Sequence, residues 1–154
     1  MTHNHEVELR PGQDGQRTGV IVFVSESVAE HRLIEEILRG SVWKVYCLCT
    51  CRDAIERVSR EHTPVVVCER KLPDGYWTDF HHATSALDMK PEIIVTSKQA
   101  DARLWAEVLN LGGSDVLGQP LETGEVVASV SAAWRRWNHR QHAAHKIAAR
   151  SGSR

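Results

Sequence analysis

Five polar residues stand out because each comes directly after, or at the end of, a short apolar segment. They are Ser25, Glu26, Glu69, Ser97 and Gln119. Together they offer two carboxylates, two hydroxyls and one amide. Carboxylate oxygens are the ligands that a hard cation such as Mg²⁺ prefers, and hydroxyl and amide groups can donate hydrogen bonds to a carboxylate. Either use requires a fold that brings the five side chains together.

A repeating pattern of apolar and amphipathic segments predicts such a fold. The apolar segments at 19–24, 42–48, 65–68, 92–96 and 115–117 predict five strands. The amphipathic segments predict five helices, at 28–38, 52–60, 76–88, 101–111 and from about 122 onward. Ser27 and Glu30 form a capping box that opens the first helix, and Asp74 is expected to be a turn residue after the third strand. Continuous apolar strands alternating with helices are typical of an α/β, doubly wound parallel sheet with helices on both faces. In this class, sites lie at the carboxyl ends of the strands, where the five polar residues fall.

Composition predicts one ordinary globular domain, because the 154 residues are 42% hydrophobic and 25% charged. No apolar run approaches the roughly 18 residues of a membrane helix, and the polar N-terminus lacks the features of a secretory signal. Four cysteines without an export signal favour a reducing compartment, and we expect the cytoplasm. Residues 1–18 are rich in polar groups and turn formers, which predicts a flexible leader.

The sequence lacks the motifs of several enzyme classes. No glycine-rich phosphate-binding motif follows the first predicted strand, which argues against nucleotide binding. No Ser/His/Asp or Cys/His set stands in a context that supports a nucleophile, so we expect no catalytic residues and no enzyme. Cys47, Cys49 and Cys51 would face one side of a strand. Structural zinc sites prefer four ligands at wider spacing, so thiols packed under a helix are the favoured interpretation.

Over residues 19–134 the order and spacing of four motifs resemble the receiver domain of bacterial two-component response regulators. The motifs are VFVSE at 22–26, VVVCERKLPDG at 65–75, IIVTS at 93–97 and NLGGSDVLGQPL at 110–121. The resemblance implies a flavodoxin-like sheet of five parallel strands in the order 2-1-3-4-5. It also implies a part in phosphorelay signal transduction.

The resemblance assigns a family position to each candidate residue. The acidic pair falls on Ser25 and Glu26, and the phosphoacceptor falls on Glu69. The switch hydroxyl falls on Ser97, the switch aromatic on Val116 and the lysine on Gln119. Thr96 and Ser97 both stand at the end of the fourth predicted strand, and counting back from Gln119 without a gap places the switch hydroxyl on Ser97 and not on Thr96. In the family, an Asp attacks a phosphoryl donor beside Mg²⁺, and the hydroxyl and the lysine stabilise the new charge.

These substitutions predict weak or absent phosphotransfer. The neutral Gln119 removes a cation, and Ser25 leaves only Glu26 and Glu69 as carboxylates for Mg²⁺. The extra methylene of Glu69 displaces the attacking oxygen, and a displacement of about 1 Å can cost roughly 10²-fold in rate. We expect no cofactor beyond weakly bound Mg²⁺.

The longer Glu69 side chain also moves negative charge toward the place that a phosphoryl group would take. One hypothesis is that Glu69 partly mimics a phosphorylated acceptor and receives hydrogen bonds from Ser97 or Gln119. The alternative is that Glu69 persists in a decayed pocket without consequence. A receiver that still accepts phosphate on Glu69, or binds Mg²⁺ through Glu26 and Glu69, stays open as a further alternative.

The leading interpretation is an atypical, stand-alone receiver that acts through protein–protein interaction without phosphorylation. The resemblance implies a histidine kinase or a downstream regulator as partner. It also implies an interaction face made by the fourth helix, fifth strand and fifth helix, with Trp105, Trp134 and Trp137 on it. Packing of Trp134 into the core is equally open. A homodimer through this face or through the C-terminal helix is a further option.

Residues 135–154 form a predicted basic helix extension and tail. The segment contains six Lys and Arg residues and no Asp or Glu, so its net charge is +6, and the net charge of the other residues is −7. A nucleic-acid-associated regulator is therefore the second alternative function, against a merely solvated helix end. His139, His142 and His145 recur every three residues, but without a nearby carboxylate or thiol they indicate an exposed basic helix rather than a metal site.

Overall fold

The computed structural model describes residues 19–152, so the predicted leader at 1–18 and the last two residues lie outside the described residues. The strands are β1 (Gly19–Val24), β2 (Trp43–Leu48), β3 (Val65–Glu69), β4 (Lys71–Leu72), β5 (Gly75–Tyr76), β6 (Glu92–Ser97) and β7 (Asp115–Gly118). The helices are α1 (Val28–Leu38), α2 (Cys51–Arg60), α3 (Trp77–Thr84), α4 (Ala102–Leu111) and α5 (Thr123–Gly152).

Five strands form one parallel sheet in the order β2-β1-β3-β6-β7. The predicted fold class and the order 2-1-3-4-5 are confirmed, since β6 and β7 are the fourth and fifth of the predicted strands. The short strands β4 and β5 pair as a separate antiparallel hairpin. This hairpin was not predicted, because the turn at Pro73 and Asp74 was recognised but its two-residue flanks carry no strand pattern.

Alternation along the strands divides the core into two layers, because successive side chains of a strand point to opposite faces. Ile21 and Phe23 of β1 pack on the side of α1 and α5, whereas Val22 and Val24 pack on the side of α2, α3 and α4. All four are fully buried. A strand that buries both of its faces needs a continuous apolar run, which explains why the segment GVIVFV forms an interior strand, between β2 and β3.

Side-chain caps determine where the helices begin. Ser27, Thr50 and Asp101 accept hydrogen bonds from the backbone N–H groups three residues later, at 3.2, 3.1 and 2.9 Å. Each cap satisfies one of the N–H groups that a helix leaves unpaired in its first turn. Helix α4 ends at Gly112, whose φ of 102° is a left-handed conformation that glycine adopts without strain.

The turn that follows β3 is held to helix α2 by Asp74. Its carboxylate accepts hydrogen bonds from the N–H groups of Cys51 and Arg52, at 2.8 and 3.0 Å. The bond from Arg52, and then that from Cys51, hold the pKa of Asp74 below its ordinary value against the opposing effect of burial. Asp74 therefore has the turn role expected from the sequence, with the added task of capping a neighbouring helix.

The first residue of the sheet lies in a narrow gap between two indole rings. A Cβ atom on Gly19 would overlap Trp43 Cδ1 and would stand 3.1 Å from Trp134 Nε1. Trp43 belongs to β2 and Trp134 to α5, and both pack against the core layer under α1 and α5. Only glycine fits where the chain enters β1.

Helix α5 is continuous over 30 residues, or about 45 Å at 1.5 Å per residue. Its inner residues pack on the sheet as far as Trp137, which is 7% exposed. The helix therefore still contacts the domain beyond residue 134, whereas residues 142–150 are all exposed. Among the described residues, no helix has the length and apolar character needed to cross a membrane.

Glu92, at the start of β6, fastens α5 to the sheet. Its carboxylate accepts from Arg136 Nε at 3.1 Å, from an Arg140 guanidinium nitrogen at 2.8 Å and from the Ser114 hydroxyl at 2.5 Å. Arg140 also donates to the carbonyl of Lys90 at 3.0 Å. We call these groups the Glu92 clamp. The exposed turns of α5 begin just beyond it.

We expect Glu92→Gln to lower the free energy of unfolding by about 1 kcal/mol, because two partly exposed ion pairs are lost while the Ser114 hydrogen bond can persist. Chemical denaturation would measure the loss, and amide hydrogen exchange should accelerate in α5 after Trp137. The control is Glu36→Gln on an exposed position of α1, with an expected change within about 0.5 kcal/mol. Equal losses in the two variants would contradict the clamp.

Candidate functional site

The candidate residues meet at the carboxyl edge of the sheet, on the side of α1 and α5. Glu69 at the end of β3 is in register with Thr96 of β6. Ser25 directly follows Val24, which is in register with Cys68, so Ser25 lies beside Glu69. Gln119 directly follows β7 and reaches Thr96, with 3.4 Å between its Nε2 and the Thr96 hydroxyl oxygen. We call Ser25, Glu69, Thr96 and Gln119 the edge pocket.

The predicted switch hydroxyl at Ser97 is wrong by one residue. Strand alternation puts Ser97 on the opposite face from Glu69 and Thr96, and its hydroxyl accepts a hydrogen bond from the Gln99 N–H at 3.1 Å. Thr96 and Gln119 lie 23 positions apart, one more than ungapped counting assumed. Alternation within the segment IIVTS could have indicated Thr96, because the face that carries Ile94 also carries residue 96.

The central contact of the edge pocket is a hydrogen bond from the Ser25 hydroxyl to the Glu69 carboxylate. Ser25 is fully buried, and its hydroxyl oxygen also accepts from the Ser27 N–H at 3.0 Å. The Ser25 carbonyl accepts from His31 Nε2 at 2.6 Å. Ser25 thus joins the ends of β1 and β3 to the first turns of α1, and the hydrogen bond expected from Ser97 or Gln119 comes from Ser25 instead.

Glu30 is a member of the site that the sequence did not single out. It stands in the expected capping segment of α1, and its carboxylate is close enough to Glu69 for the two charges to interact. Burial, and next the negative charge of Glu69, raise the pKa of Glu30, while the backbone of Leu121 and the charge of Lys98 oppose this. Its Oε1 is buried and has no hydrogen-bond partner among the described residues.

The two remaining positions of the pocket are uncharged or apolar. Gln119 stands where the resemblance implies a lysine, and its amide can donate hydrogen bonds but supplies no positive charge. Val116, at the position of the switch aromatic, is half-buried and packs on the core layer under α2, α3 and α4. A short aliphatic side chain there has no large ring to move between two positions.

The pocket does not fit the family's magnesium ion. Glu26 is exposed, Ser25 uses its hydroxyl proton on Glu69, and a Ser oxygen lacks the charge of the carboxylate it replaces. Within residues 19–152 no group of three or more His, Cys, Asp or Glu side chains is arranged to hold a metal ion. The charges of Glu30 and Glu69 repel each other, and the raised pKa of Glu30 reduces that repulsion.

The cysteines do not share one strand face. Cys47 lies in β2, Cys49 is exposed after it, and Cys51 is the buried first residue of α2. Burial raises the pKa of Cys47 to about 12 and that of Cys51 to about 11, and it raises the pKa of Cys68 as well. Protonated thiols are poor nucleophiles and poor metal ligands, as the packing interpretation requires.

Of the three tryptophans predicted on an interaction face, only Trp105 stands at the surface. Trp105 on α4 is 50% exposed, whereas Trp137 is 7% exposed and Trp134 packs against the core layer under α1 and α5. The face prediction is therefore wrong for Trp137, because the α5 stripe that carries it turns onto the sheet. Leu109 and Leu111 of α4 and Val127 of α5 are exposed instead.

We expect Ser25→Ala to lower the free energy of unfolding by about 1–3 kcal/mol, because it removes a buried donor and leaves Glu69 and the Ser27 N–H without their partner. Denaturant titration would measure the change. The control is Ser59→Ala, which removes a hydroxyl from an exposed position of α2, with an expected change within about 0.5 kcal/mol. A Ser25 effect no larger than that of Ser59 would contradict the central role of this bond.

We expect Glu30→Gln to raise the stability of the protein at pH 7. The pKa of Glu30 lies above its ordinary value of 4.5 in the folded protein, so the folded state binds this proton more tightly than the unfolded state does. Stability is therefore lost as the pH rises through the raised pKa. The advantage of Glu30→Gln should shrink as the pH falls and vanish below 4.5.

Denaturation of Glu30→Gln and wild type at pH 7 and at pH 4 would measure this difference. Glu26→Gln, which changes an exposed carboxylate next to the same pocket, is the control, with a change within about 0.5 kcal/mol at both pH values. A Glu30→Gln protein that is less stable than wild type at pH 7 would contradict the repulsion between Glu30 and Glu69.

Comparison with known proteins finds similarity in structure only. No protein-family model matches the chain, and no curated protein matches its sequence. Among solved structures, the signal receiver domain of a Luxo repressor protein from Vibrio parahaemolyticus has a TM-score of 0.77 and 19% identity, with 82% of this chain and 98% of that chain covered.

Two further solved structures agree. The signal receiver domain of an HD domain-containing protein from Pseudomonas fluorescens Pf-5 has a TM-score of 0.74 and 14% identity, over 82% of this chain and 94% of that one. The chemotaxis response regulator CheY4 of Vibrio cholerae has a TM-score of 0.69 and 13% identity, over 76% and 99%. The chain therefore has the fold of the receiver domains of response regulators.

Proposed function

We propose that the protein is a receiver-type signalling module that works by binding another protein, not by catalysis and not by phosphotransfer. The observation that carries this proposal is the hydrogen bond from Ser25 to Glu69. It engages the carboxylate at the phosphoacceptor position and links two neighbouring strand ends in one arrangement. The rest of the edge pocket supports the same conclusion.

Charge in the pocket opposes the addition of a phosphoryl group. Glu30 directs a second carboxylate toward Glu69, and Gln119 offers no cation to balance the two or more negative charges of an acyl phosphate. Phosphoryl transfer depends on cations that neutralise the developing charge. A pocket with an additional carboxylate and without a metal carboxylate pair therefore favours the unmodified state.

The donor to Glu69 also bears on the hypothesis that Glu69 mimics a phosphorylated acceptor. That hypothesis needs a hydrogen bond from the switch hydroxyl or from Gln119. Among the described residues the donor is Ser25, and Gln119 donates to Thr96. We therefore favour a pocket held in one unmodified arrangement over a pocket that mimics the phosphorylated state.

If the pocket stays in one arrangement, the partner protein would bind a surface whose shape does not change. Helix α4 exposes Trp105 and Leu109, four residues apart and so on one helix face. Large exposed apolar side chains of this kind are common at protein contacts. We propose this face for a histidine kinase or a downstream regulator, or for a second copy of the chain.

Phosphorylation by a small phosphodonor tests the proposal. Wild-type protein incubated with acetyl phosphate and Mg²⁺ should gain the mass of one phosphoryl group at least about 100-fold more slowly than a variant with the family's groups, because the displaced carboxylate costs roughly 10²-fold in rate. The variant Ser25→Asp, Glu69→Asp, Gln119→Lys restores the family's groups and should become labelled. Intact-protein mass spectrometry would measure both.

The matched control is Ser25→Asp, Glu69→Gln, Gln119→Lys, which has the same neighbours but no nucleophile and should stay unlabelled. Stoichiometric phosphate on Glu69 of the wild-type chain would overturn the proposal. A folded restored variant that takes up no phosphate would contradict the assignment of these three positions to the family's chemistry.

A further inference from the structure

The outward side of α5 carries a continuous row of basic side chains. The row consists of Arg135, His139, His142, Lys146 and Arg150, all exposed. Their spacings of three or four residues keep them within about 80° of the helix circumference, at 3.6 residues per turn. No Asp or Glu follows Glu125 in the sequence, so no acidic side chain interrupts the row. We call it the basic stripe.

The Glu92 clamp and Trp137 determine where the basic stripe points. Trp137 is buried against the domain, and its position on the helix wheel is more than about 120° away from every member of the stripe. Arg136 and Arg140, which lie between these two sides, are engaged by Glu92. The stripe therefore faces away from the domain and continues along the exposed turns.

The side of α5 opposite the stripe lacks the side chains of an apolar docking site. After Trp137 it presents Gln141, Ala144 and Ala148, and the one large exposed apolar residue among 142–150 is Ile147, 65% exposed. Protein interfaces depend on bulky anchors, and membrane-surface helices need a broad apolar face. A second copy would bring an equally basic helix into repulsion with this one.

We propose that the basic stripe binds the phosphate backbone of double-stranded DNA, without reading its sequence. The charge difference supports this partner, since residues 135–154 carry +6 and the other residues −7. The acidic body is repelled by DNA, so contact is confined to the projecting helix. From Arg135 to Arg150 the stripe spans about 22 Å, and an α-helix fits the major groove, which is about 12 Å wide.

The strength of binding should depend steeply on salt. Each phosphate neutralised changes the slope of log K against log salt concentration by about −0.9 on duplex DNA. Two such contacts, by Arg135 and Lys146, predict a slope near −1.8 at pH 7.5. A rise from 50 to 200 mM salt should then weaken binding about 12-fold.

The experiment is fluorescence anisotropy of the full chain with a labelled DNA duplex of arbitrary sequence. Two charge-matched variants decide whether the stripe is the site. His139→Glu, His142→Glu places two carboxylates in the stripe, and Ala144→Glu, Ala148→Glu places two on the opposite side of the same helix. We expect at least about 10-fold weaker binding for the first and no more than about threefold for the second, because salt screens charges beyond about 10 Å.

Circular dichroism of both variants would show that α5 still forms. Equal losses in the two variants would overturn the proposal, because they would reflect net charge and not the stripe. Tighter binding to a single strand, to polyglutamate or to vesicles of anionic lipid than to the duplex would overturn it as well. So would duplex binding whose affinity does not change with salt. The outcome is independent of whether Glu69 accepts phosphate.

Discussion

The hydrogen bond between Ser25 and Glu69 is the constraint on which the rest of the edge pocket depends. Ser25 is buried at the end of β1 and Glu69 ends β3, so the bond joins two adjacent strands where their chains leave the sheet. Through the Ser27 N–H and His31, the same residue also sets the start of α1. A carboxylate held in this way is part of the hydrogen-bond network that joins the strands to α1.

The position of Glu30 follows from the same constraint. With Glu69 turned toward β1, the space beside α1 receives a second carboxylate, whose repulsion is reduced by the raised pKa, by the Leu121 N–H and by Lys98. A metal-binding receiver would use a cation here. This chain has the neutral amide of Gln119 and the raised pKa of Glu30 at the same edge of the sheet.

The sequence predicted the architecture well because the architecture depends on apolar periodicity. The segments GVIVFV, VVVC and EIIVT gave the buried strands and their parallel order, and Ser27 gave the start of α1 at the correct residue. The site was predicted less completely because side-chain direction depends on register. Ser97 was chosen over Thr96 by a count that ignored an added residue, and Glu30 was hidden by its place in a capping pattern. The burial of Trp137 depends on the rotation of α5, which the Glu92 clamp determines and which helical spacing alone leaves open.

Gly19 has a consequence for how this domain can be joined to other polypeptide. The backbone enters β1 between the rings of Trp43 and Trp134, in a gap that admits no side chain. Trp43 belongs to the second strand and Trp134 to the last helix, so the gap around Gly19 is formed by residues that are far from Gly19 in sequence. A fusion junction that gave position 19 a side chain would have to force the two rings apart, so a joined protein that keeps this sheet intact must retain Gly19.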